Sequence, residues 1–197
     1  GLVFLVTEFV RTDHRRRELR LALQVARIEQ LRIAGALRAA RDIQMGMLPD
    51  PKTTAGVPEH LQWYAMLEPA EEVGGDLYDA FMIDQEHFCF LIGDVSGKGV
   101  PASLFMALSK TLCKSTALRE HVPLDTLMDL VNTEISRDNP ASLFVTATIG
   151  ILDIPHGELK LCNAGHEQSF LLRHAEAPHT LPVASGPPLC VLENFPY

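Results

Sequence analysis

The sequence predicts an α+β fold in which a long N-terminal helix precedes an antiparallel sheet with helices packed outside it. Three observations support this prediction. Residues 13–45 contain no proline and a single glycine, and their apolar residues recur every three or four positions, which is typical of a helix. Short apolar runs bounded by turn residues follow and indicate strands. Two longer runs, 101–119 and 124–137, separate these strands as helices, an order typical of an α+β sandwich.

The N-terminal helix has a narrow apolar seam within an arginine-rich exterior. The seam consists of Leu19, Leu23, Ala26, Ile33, Ala36, Leu37 and Ala40. A helix of roughly 30 residues with such a seam is hard to bury in a small domain, so we expect a parallel coiled-coil homodimer through residues 13–45. A single helix packed on the globular domain is the alternative.

Residues 1–10, GLVFLVTEFV, are largely apolar and are followed by Arg11, Arg15, Arg16 and Arg17. The run is shorter than the roughly 20 residues that a membrane span needs, yet its basic flank is typical of the cytoplasmic end of such a span. Two interpretations stay open: the end of a span that begins upstream, or an ordinary amphipathic helix start. We assign residues 1–46 to a helical signalling linker, and expect a cytoplasmic protein or the cytoplasmic part of a membrane-anchored one.

Residues 47–197 form the predicted globular domain. Prolines at 49, 51 and 58, with a glycine at 56, end the helix and make a linker. The elements expected after it are strands at 61–67, 77–83 and 87–93, helices at 101–119 and 124–137, and strands at 143–152, 158–163 and 169–173. The runs at 77–83 and 87–93 are short enough and close enough to make a hairpin.

Charge and cysteine content narrow the function classes. Residues 1–41 contain nine arginines and four acidic residues and so carry a charge of +5. Because the net charge of the whole chain is −8, residues 42–197 carry −13. An acidic domain without a basic stripe argues against a nucleic-acid partner and is compatible with a site for divalent cations. The four cysteines form no Cys-x-x-Cys pair, and we expect a reducing compartment without disulfides.

Two acidic residues in glycine-rich segments carry the most informative chemistry. They lie in EEVGGDLYD, residues 71–79, and in IGDVSGKGVP, residues 92–101. If residues 84–86 form the hairpin loop, the numbers of paired residues sum to 170, which places Asp76 directly opposite Asp94. Directly opposed residues have Cβ atoms about 4.5–5.5 Å apart, and like charges there are destabilising. A four-residue loop would shift this pairing by one position.

A bound cation is the expected compensation for the opposed acids. The face that they share continues as Tyr78, Ala80, Met82, Phe88, Phe90 and Ile92, which we expect to be buried, so two anions at its end need a counter-charge. Oxygen ligands without a histidine or cysteine cluster favour Mg²⁺ or Mn²⁺ over zinc. The segment GDVSGKG is not a nucleotide-binding P-loop, because three residues instead of four separate Gly93 from Gly97 and Gly99 follows Lys98.

At these residues the chain resembles the SpoIIE/RsbU branch of the PPM phosphatases, the metal-dependent serine/threonine phosphatases of bacteria. The resemblance begins at ARDIQMGMLP, residues 40–49, and continues through PAEEVGGDLYD and GDVSGKGVPA. It extends through FVT at 144–146, GILD at 150–153 and NAGH at 163–166. It therefore covers the chain from about residue 40 to its end.

The resemblance implies an αββα sandwich of two antiparallel sheets around a site for two Mn²⁺ or Mg²⁺ ions. Asp76 and Asp94 would be catalytic metal ligands, the carbonyl of Val95 a third ligand, and Asp79 a supporting group beside them. A water that bridges the two ions would attack phosphorus in line. We expect Asn163 and His166 to form a structural turn instead of joining the reaction.

The family continues into a strand of the type Thr-Asp-Gly and a last metal-binding aspartate, and this chain stops at Tyr197 before either. We therefore expect a C-terminally truncated domain that by itself is inactive for lack of ligands. The resemblance implies removal of phosphate from phosphoserine or phosphothreonine on a STAS-type anti-sigma-factor antagonist, controlled through the N-terminal helix. The alternative is a catalytically silent, dimeric signalling or scaffold module that binds the same partner.

Overall fold

The computed structural model describes residues 2–119 and 122–197. The chain divides into two compact units, residues 1–42 and residues 43–197. The first unit is helical, and the second contains a mixed sheet and two helices.

Helix α1 spans Leu2–Gly46, so the predicted helix over 13–45 is confirmed. The apolar side chains of its central part are exposed, including Leu19 at 64%, Leu23 at 63% and Ile33 at 52%. Arg17 and Asp13 form an ion pair of 2.7 Å one turn apart, a surface pair of the kind that contributes about 0.3–0.5 kcal/mol. The coiled-coil dimer stays a prediction. Across residues 2–119 and 122–197, no helix is both long and apolar enough to cross a membrane.

The second unit is organised around a five-stranded sheet. Its strands, in their order across the sheet, are β1 (Leu77–Met82), β2 (His87–Val95), β3 (Val145–Asp153), β4 (Glu158–Ala164) and β7 (Ser185–Gly186). Between β2 and β3 the chain forms α2 (Gly99–Ala117) and α3 (Leu124–Arg137), and between β4 and β7 a two-stranded ribbon of β5 (Phe170–Leu171) and β6 (His179–Thr180). The predicted α+β class and the helix pair inserted between strands are confirmed.

Three details of the predicted sheet need correction. The segment 61–67 is not a strand, because it makes no ladder with a neighbour. The strand expected at 169–173 is reduced to Phe170–Leu171. The sheet is also not purely antiparallel, since β7 pairs parallel with β4 after the chain has passed through the β5–β6 ribbon.

The core lies on one face of the sheet. Strand residues Leu77, Phe81, Cys89, Leu91 and Val95 are buried there with helix residues Met106, Leu127, Met128, Val131 and Ile135. Burial of large apolar side chains of this kind stabilises a fold by about 1.5–3 kcal/mol each. The helices α2 and α3 therefore cover this face.

The opposite face is more open than the sequence suggests. Residues 61–65 line a cavity together with residues of this face, and the Trp63 and Phe88 rings approach to 6.4 Å between centroids. Ala80 and Phe88 are buried, but Ile92 is 50% exposed. The expectation of a wholly buried face behind Asp76 and Asp94 is therefore wrong, because the helices pack on the other side of the sheet.

Candidate functional site

The hairpin of β1 and β2 has the register that the sequence predicts. The ladder runs from Met82 opposite Phe88 to Leu77 opposite Gly93. At the turn end the Ile83 N–H donates to the carbonyl of His87 at 2.8 Å. Beyond the last ladder pair, the Val95 N–H donates to the Gly75 carbonyl at 3.3 Å. Between these fixed points Asp76 lies opposite Asp94.

The two carboxylates line an open cavity of about 200 Å³ at the end of this hairpin. Its other walls are the segment 69–75 and the turn Gly97, Lys98 and Gly99. The pKa of Asp94 is raised, chiefly by partial burial and next by the negative charge of Asp76, while His166 opposes the shift. The two acids therefore repel each other, and a cation between them would remove that repulsion.

The donor set fits a hard divalent cation. It includes the carboxylates of Asp76 and Asp94. The Val95 carbonyl oxygen lies 2.6 Å from the position that a Cβ on Gly75 would occupy, and Gly75 lines the same cavity. Within the described ranges no group of three or more His, Cys, Asp or Glu side chains is placed to hold a metal. Mg²⁺ is commonly held by one or two carboxylates and completes its shell with water, so the pair Asp76 and Asp94 is compatible with such an ion.

Two adjacent glycines in this site provide a matched prediction. A Cβ on Gly75 would lie 2.6 Å from the carbonyl oxygen of Val95, whereas one on Gly74 would meet nothing within 4 Å. We expect Gly75→Ala to destabilise the domain by about 1–3 kcal/mol through this backbone clash. Gly74→Ala is expected to stay within about 0.5 kcal/mol of the wild type. Urea unfolding of both variants checks this, and equal midpoints would contradict the close approach of the two segments.

Asp79 does not join the site, so its predicted supporting role is wrong. It alternates with Tyr78 and Ala80 along β1 and faces α2, where its side chain is fully buried. Lys110 Nζ donates to its Oδ2 at 2.6 Å and Lys114 Nζ to its Oδ1 at 3.3 Å. Asp79 therefore fixes α2 to the sheet from the side opposite to Asp76 and Asp94.

The turn between β4 and the following segment is structural in its main chain, as expected. The side-chain oxygen Oδ1 of Asn163 accepts a hydrogen bond from the His166 N–H at 2.8 Å, and Asn163 Nδ2 donates to the His166 carbonyl at 3.1 Å. The imidazole, however, reaches Thr146, with 2.9 Å between Nδ1 and Oγ1. Thr146 lies opposite Asp94 in the ladder of β2 and β3, so this contact adjoins the acid pair.

Gln44 also lies beside the cavity, at a position that sequence analysis does not single out. It lies near the end of α1, within the unit 43–197, and is 7% exposed. Its Nε2 donates to the Gly74 carbonyl at 2.6 Å, and its Oε1 accepts the Gly74 N–H at 3.2 Å. This two-point contact holds the main chain two residues before Asp76.

Sequence comparison identifies relatives of this chain. The family model "Stage II sporulation protein E (SpoIIE)" matches residues 84–197. Protein IcfG of Synechocystis is 31% identical over 80% of this chain and 28% of its own length. The phosphoserine phosphatase RsbU of Bacillus subtilis is 30% identical over 75% of this chain and 42% of its own length. The chain thus spans less than half of each of these relatives.

Solved structures show the same fold. The PP2C domain of SiaA from Pseudomonas aeruginosa superposes with a TM-score of 0.66 at 21% identity, over 81% of this chain and 63% of that domain. The RsbU and RsbW domains of a Mycobacterium tuberculosis protein give 0.57 at 25% identity, over 66% of this chain and 36% of that one. Because the SpoIIE model covers more than half of the residues and the fold agrees, the chain belongs to the SpoIIE family.

Proposed function

We propose that the protein removes phosphate from phosphoserine or phosphothreonine on a regulatory protein, using Mn²⁺ or Mg²⁺ held by Asp76 and Asp94. The observation that carries this proposal is that the β1–β2 register brings Asp76 and Asp94 to the wall of one open cavity. The relatives named phosphoserine phosphatases support the choice of substrate.

Each part of the cavity has a role in this proposal. Asp76 and Asp94 hold and orient the cations, and the Val95 carbonyl adds a neutral oxygen beside them. Bound divalent cations would supply an activated water and neutralise charge on the phosphoryl oxygens. Lys98 lies at the cavity wall between Gly97 and Gly99, both of which have positive φ angles of 88° and 69°, so that its ammonium can meet an incoming phosphate. The open mouth suits a phosphorylated side chain on a folded protein.

We propose a STAS-type anti-sigma-factor antagonist as the substrate, which rests on the similarity to RsbU and on the neighbouring structure that contains RsbU and RsbW domains. We place the protein in the cytoplasm, as a free protein or on a membrane tether upstream. The four cysteines are free thiols, which suits a reducing compartment.

The proposed activity is tested with the full-length protein on a phosphoserine peptide and on p-nitrophenyl phosphate. We expect phosphate release that requires Mn²⁺ or Mg²⁺ and stops when a chelator removes the metal. Phosphate release that is unaffected by the chelator would overturn the cation-dependent mechanism. If no divalent cation supports phosphate release, the proposal that the protein is a phosphatase is overturned.

A silent signalling module is the second candidate function. The observation that favours it is that, among residues 2–119 and 122–197, no group of three or more His, Cys, Asp or Glu side chains is placed to hold a metal ion. Such a module would bind the phosphoprotein partner without releasing phosphate. The same experiment, with partner binding measured in parallel, separates the two: binding without release supports the module.

We propose that the N-terminal helix regulates the site, as a dimer through residues 13–45, and that Gln44 transmits its state to Gly74. Gln44→Ala removes both hydrogen bonds, a loss of about 1–3 kcal/mol for buried groups. We expect the Gly74 amide to exchange with solvent about tenfold faster or more, as measured by hydrogen exchange. Gln85→Ala, in the exposed β1–β2 turn, is the control, and equal exchange in both variants would contradict this role of Gln44.

A further inference from the structure

The turn that carries His166 keeps its shape without the imidazole. Its two hydrogen bonds to Asn163 use the backbone N–H and carbonyl of His166. Gly165 has a φ of 68°, and a Cβ there would lie 2.8 Å from the Pro188 ring, so the chain path is set by Gly165 and Asn163. Any residue other than proline at 166 could satisfy these bonds. The identity of the side chain at this position therefore needs another explanation.

The imidazole provides one by reaching the strand that carries an acidic ligand. His166 Nδ1 lies 2.9 Å from Thr146 Oγ1, and Thr146 Oγ1 lies 3.4 Å from the main-chain carbonyl oxygen of Asp94. A carbonyl oxygen only accepts, so both contacts are satisfied in one arrangement: the hydroxyl donates to Asp94 and accepts from Nδ1–H of His166. The three residues then form a chain that ends on the backbone of Asp94.

We infer that His166 is a positioning residue of the cation site, which acts through Thr146 on the main chain of Asp94. Asp94 and Val95 are the last two residues of β2. The ladder with β1 ends at Gly93, and both residues still pair with β3, the strand that carries Thr146. The peptide plane that the Thr146 hydroxyl holds joins Asp94 to Val95, so it helps to orient both the carboxylate and the next carbonyl. The inference rests on the proposed cation site and adds to it the residues that orient a ligand.

The magnitude expected follows from the behaviour of outer hydrogen-bond partners of metal ligands, whose loss costs about 10- to 100-fold in metal affinity. We expect His166→Ala and Thr146→Val each to weaken Mn²⁺ binding by about tenfold or more. The double variant should be little worse than either single variant, because both substitutions break one chain of hydrogen bonds.

The experiment is a Mn²⁺ titration of the full-length protein, with free Mn²⁺ followed by electron paramagnetic resonance. The variants are His166→Ala, His166→Asn, His166→Gln, Thr146→Val and the double variant His166→Ala with Thr146→Val. His166→Asn keeps an N–H donor close to the position of Nδ1 and should restore most of the affinity, whereas His166→Gln moves its donor outward and should not. His174→Ala, at an exposed position, is the control, and circular dichroism verifies that each variant is folded.

The outcomes separate this inference from the proposed function. If the affinity for Mn²⁺ is lower in His166→Ala than in the wild type and is restored in His166→Asn, the positioning role of His166 is supported. If folded His166→Ala binds Mn²⁺ as tightly as the wild type, the positioning role of His166 is overturned and the proposed cation site is unaffected. Additive losses in the double variant overturn the chain through Thr146. A wild-type protein that binds no Mn²⁺ overturns both the cation site and this inference.

Discussion

Asp79→Ala is expected to destabilise the globular domain by about 3–5 kcal/mol, the typical cost of removing one partner from a buried ion pair. The substitution would leave the Lys110 ammonium, whose side chain is 8% exposed, without its anion. Lys114 is 38% exposed at its side chain and lies 4.5 Å over the Phe81 ring, so it would stay solvated. Chemical denaturation monitored by circular dichroism measures the change.

The matched variant replaces the pair as a whole. Asp79→Leu combined with Lys110→Met exchanges the buried charges for apolar side chains, an exchange that is often neutral or stabilising. We therefore expect the double variant to regain most of the stability lost in Asp79→Ala. A double variant as unstable as Asp79→Ala would contradict the account in which the cost comes from an uncompensated lysine charge.

Asp94→Asn should lower kcat for phosphate release by about 1,000-fold, because a cation at this site contributes several kcal/mol to transition-state stabilisation. The substitution preserves the shape of the side chain and removes the charge that opposes Asp76. The variant should fold as stably as the wild type or more so, since the raised pKa of Asp94 reports that its charged form is disfavoured.

Asp138→Asn is the control for Asp94→Asn, because Asp138 is an exposed acid that follows α3. Its kcat should equal that of the wild type. Phosphate release assays at saturating Mn²⁺, with unfolding curves for both variants, measure the difference. Equal activity of Asp94→Asn and the wild type would exclude Asp94 from the reaction.

The acid pair could be predicted from sequence because a short turn fixes the register of β1 and β2. The Asp84 carboxylate accepts the N–H groups of Glu86 and His87 at 2.8 Å each, which closes a loop of three residues. A turn with such local hydrogen bonds depends on neighbours in the sequence alone. Counting back from it therefore places Asp76 opposite Asp94 correctly.

Asp79 could not be assigned from the sequence alone. Alternation along β1 puts it on the face opposite to Asp76, but its partners Lys110 and Lys114 lie on a helix 31 and 35 residues later. Whether that helix covers one face or the other depends on packing between distant segments. The same reason explains the segment 61–67, whose apolar alternation suits a strand but which has no ladder partner in the structure.

The contact of His166 with Thr146, beside Asp94, could not be predicted from the sequence because it depends on a second register. Thr146 lies opposite Asp94 only after the chain has passed through α2 and α3, and no local turn fixes that pairing. Once the pairing is known, the numbers of paired residues in β2 and β3 sum to 240. With this pairing, the motif at 163–166 lies beside Thr146 and Asp94. The turn residues of the motif alone do not reveal that proximity.

The central claim is that Asp76 and Asp94 together hold a catalytic cation, and anomalous diffraction from crystals soaked in Mn²⁺ tests it most directly. The account predicts an anomalous peak within coordination distance of both carboxylates, at the end of the β1–β2 hairpin, and its loss in Asp94→Asn crystals. A peak that contacts neither carboxylate, or no peak in the wild-type crystals at saturating Mn²⁺, would contradict it.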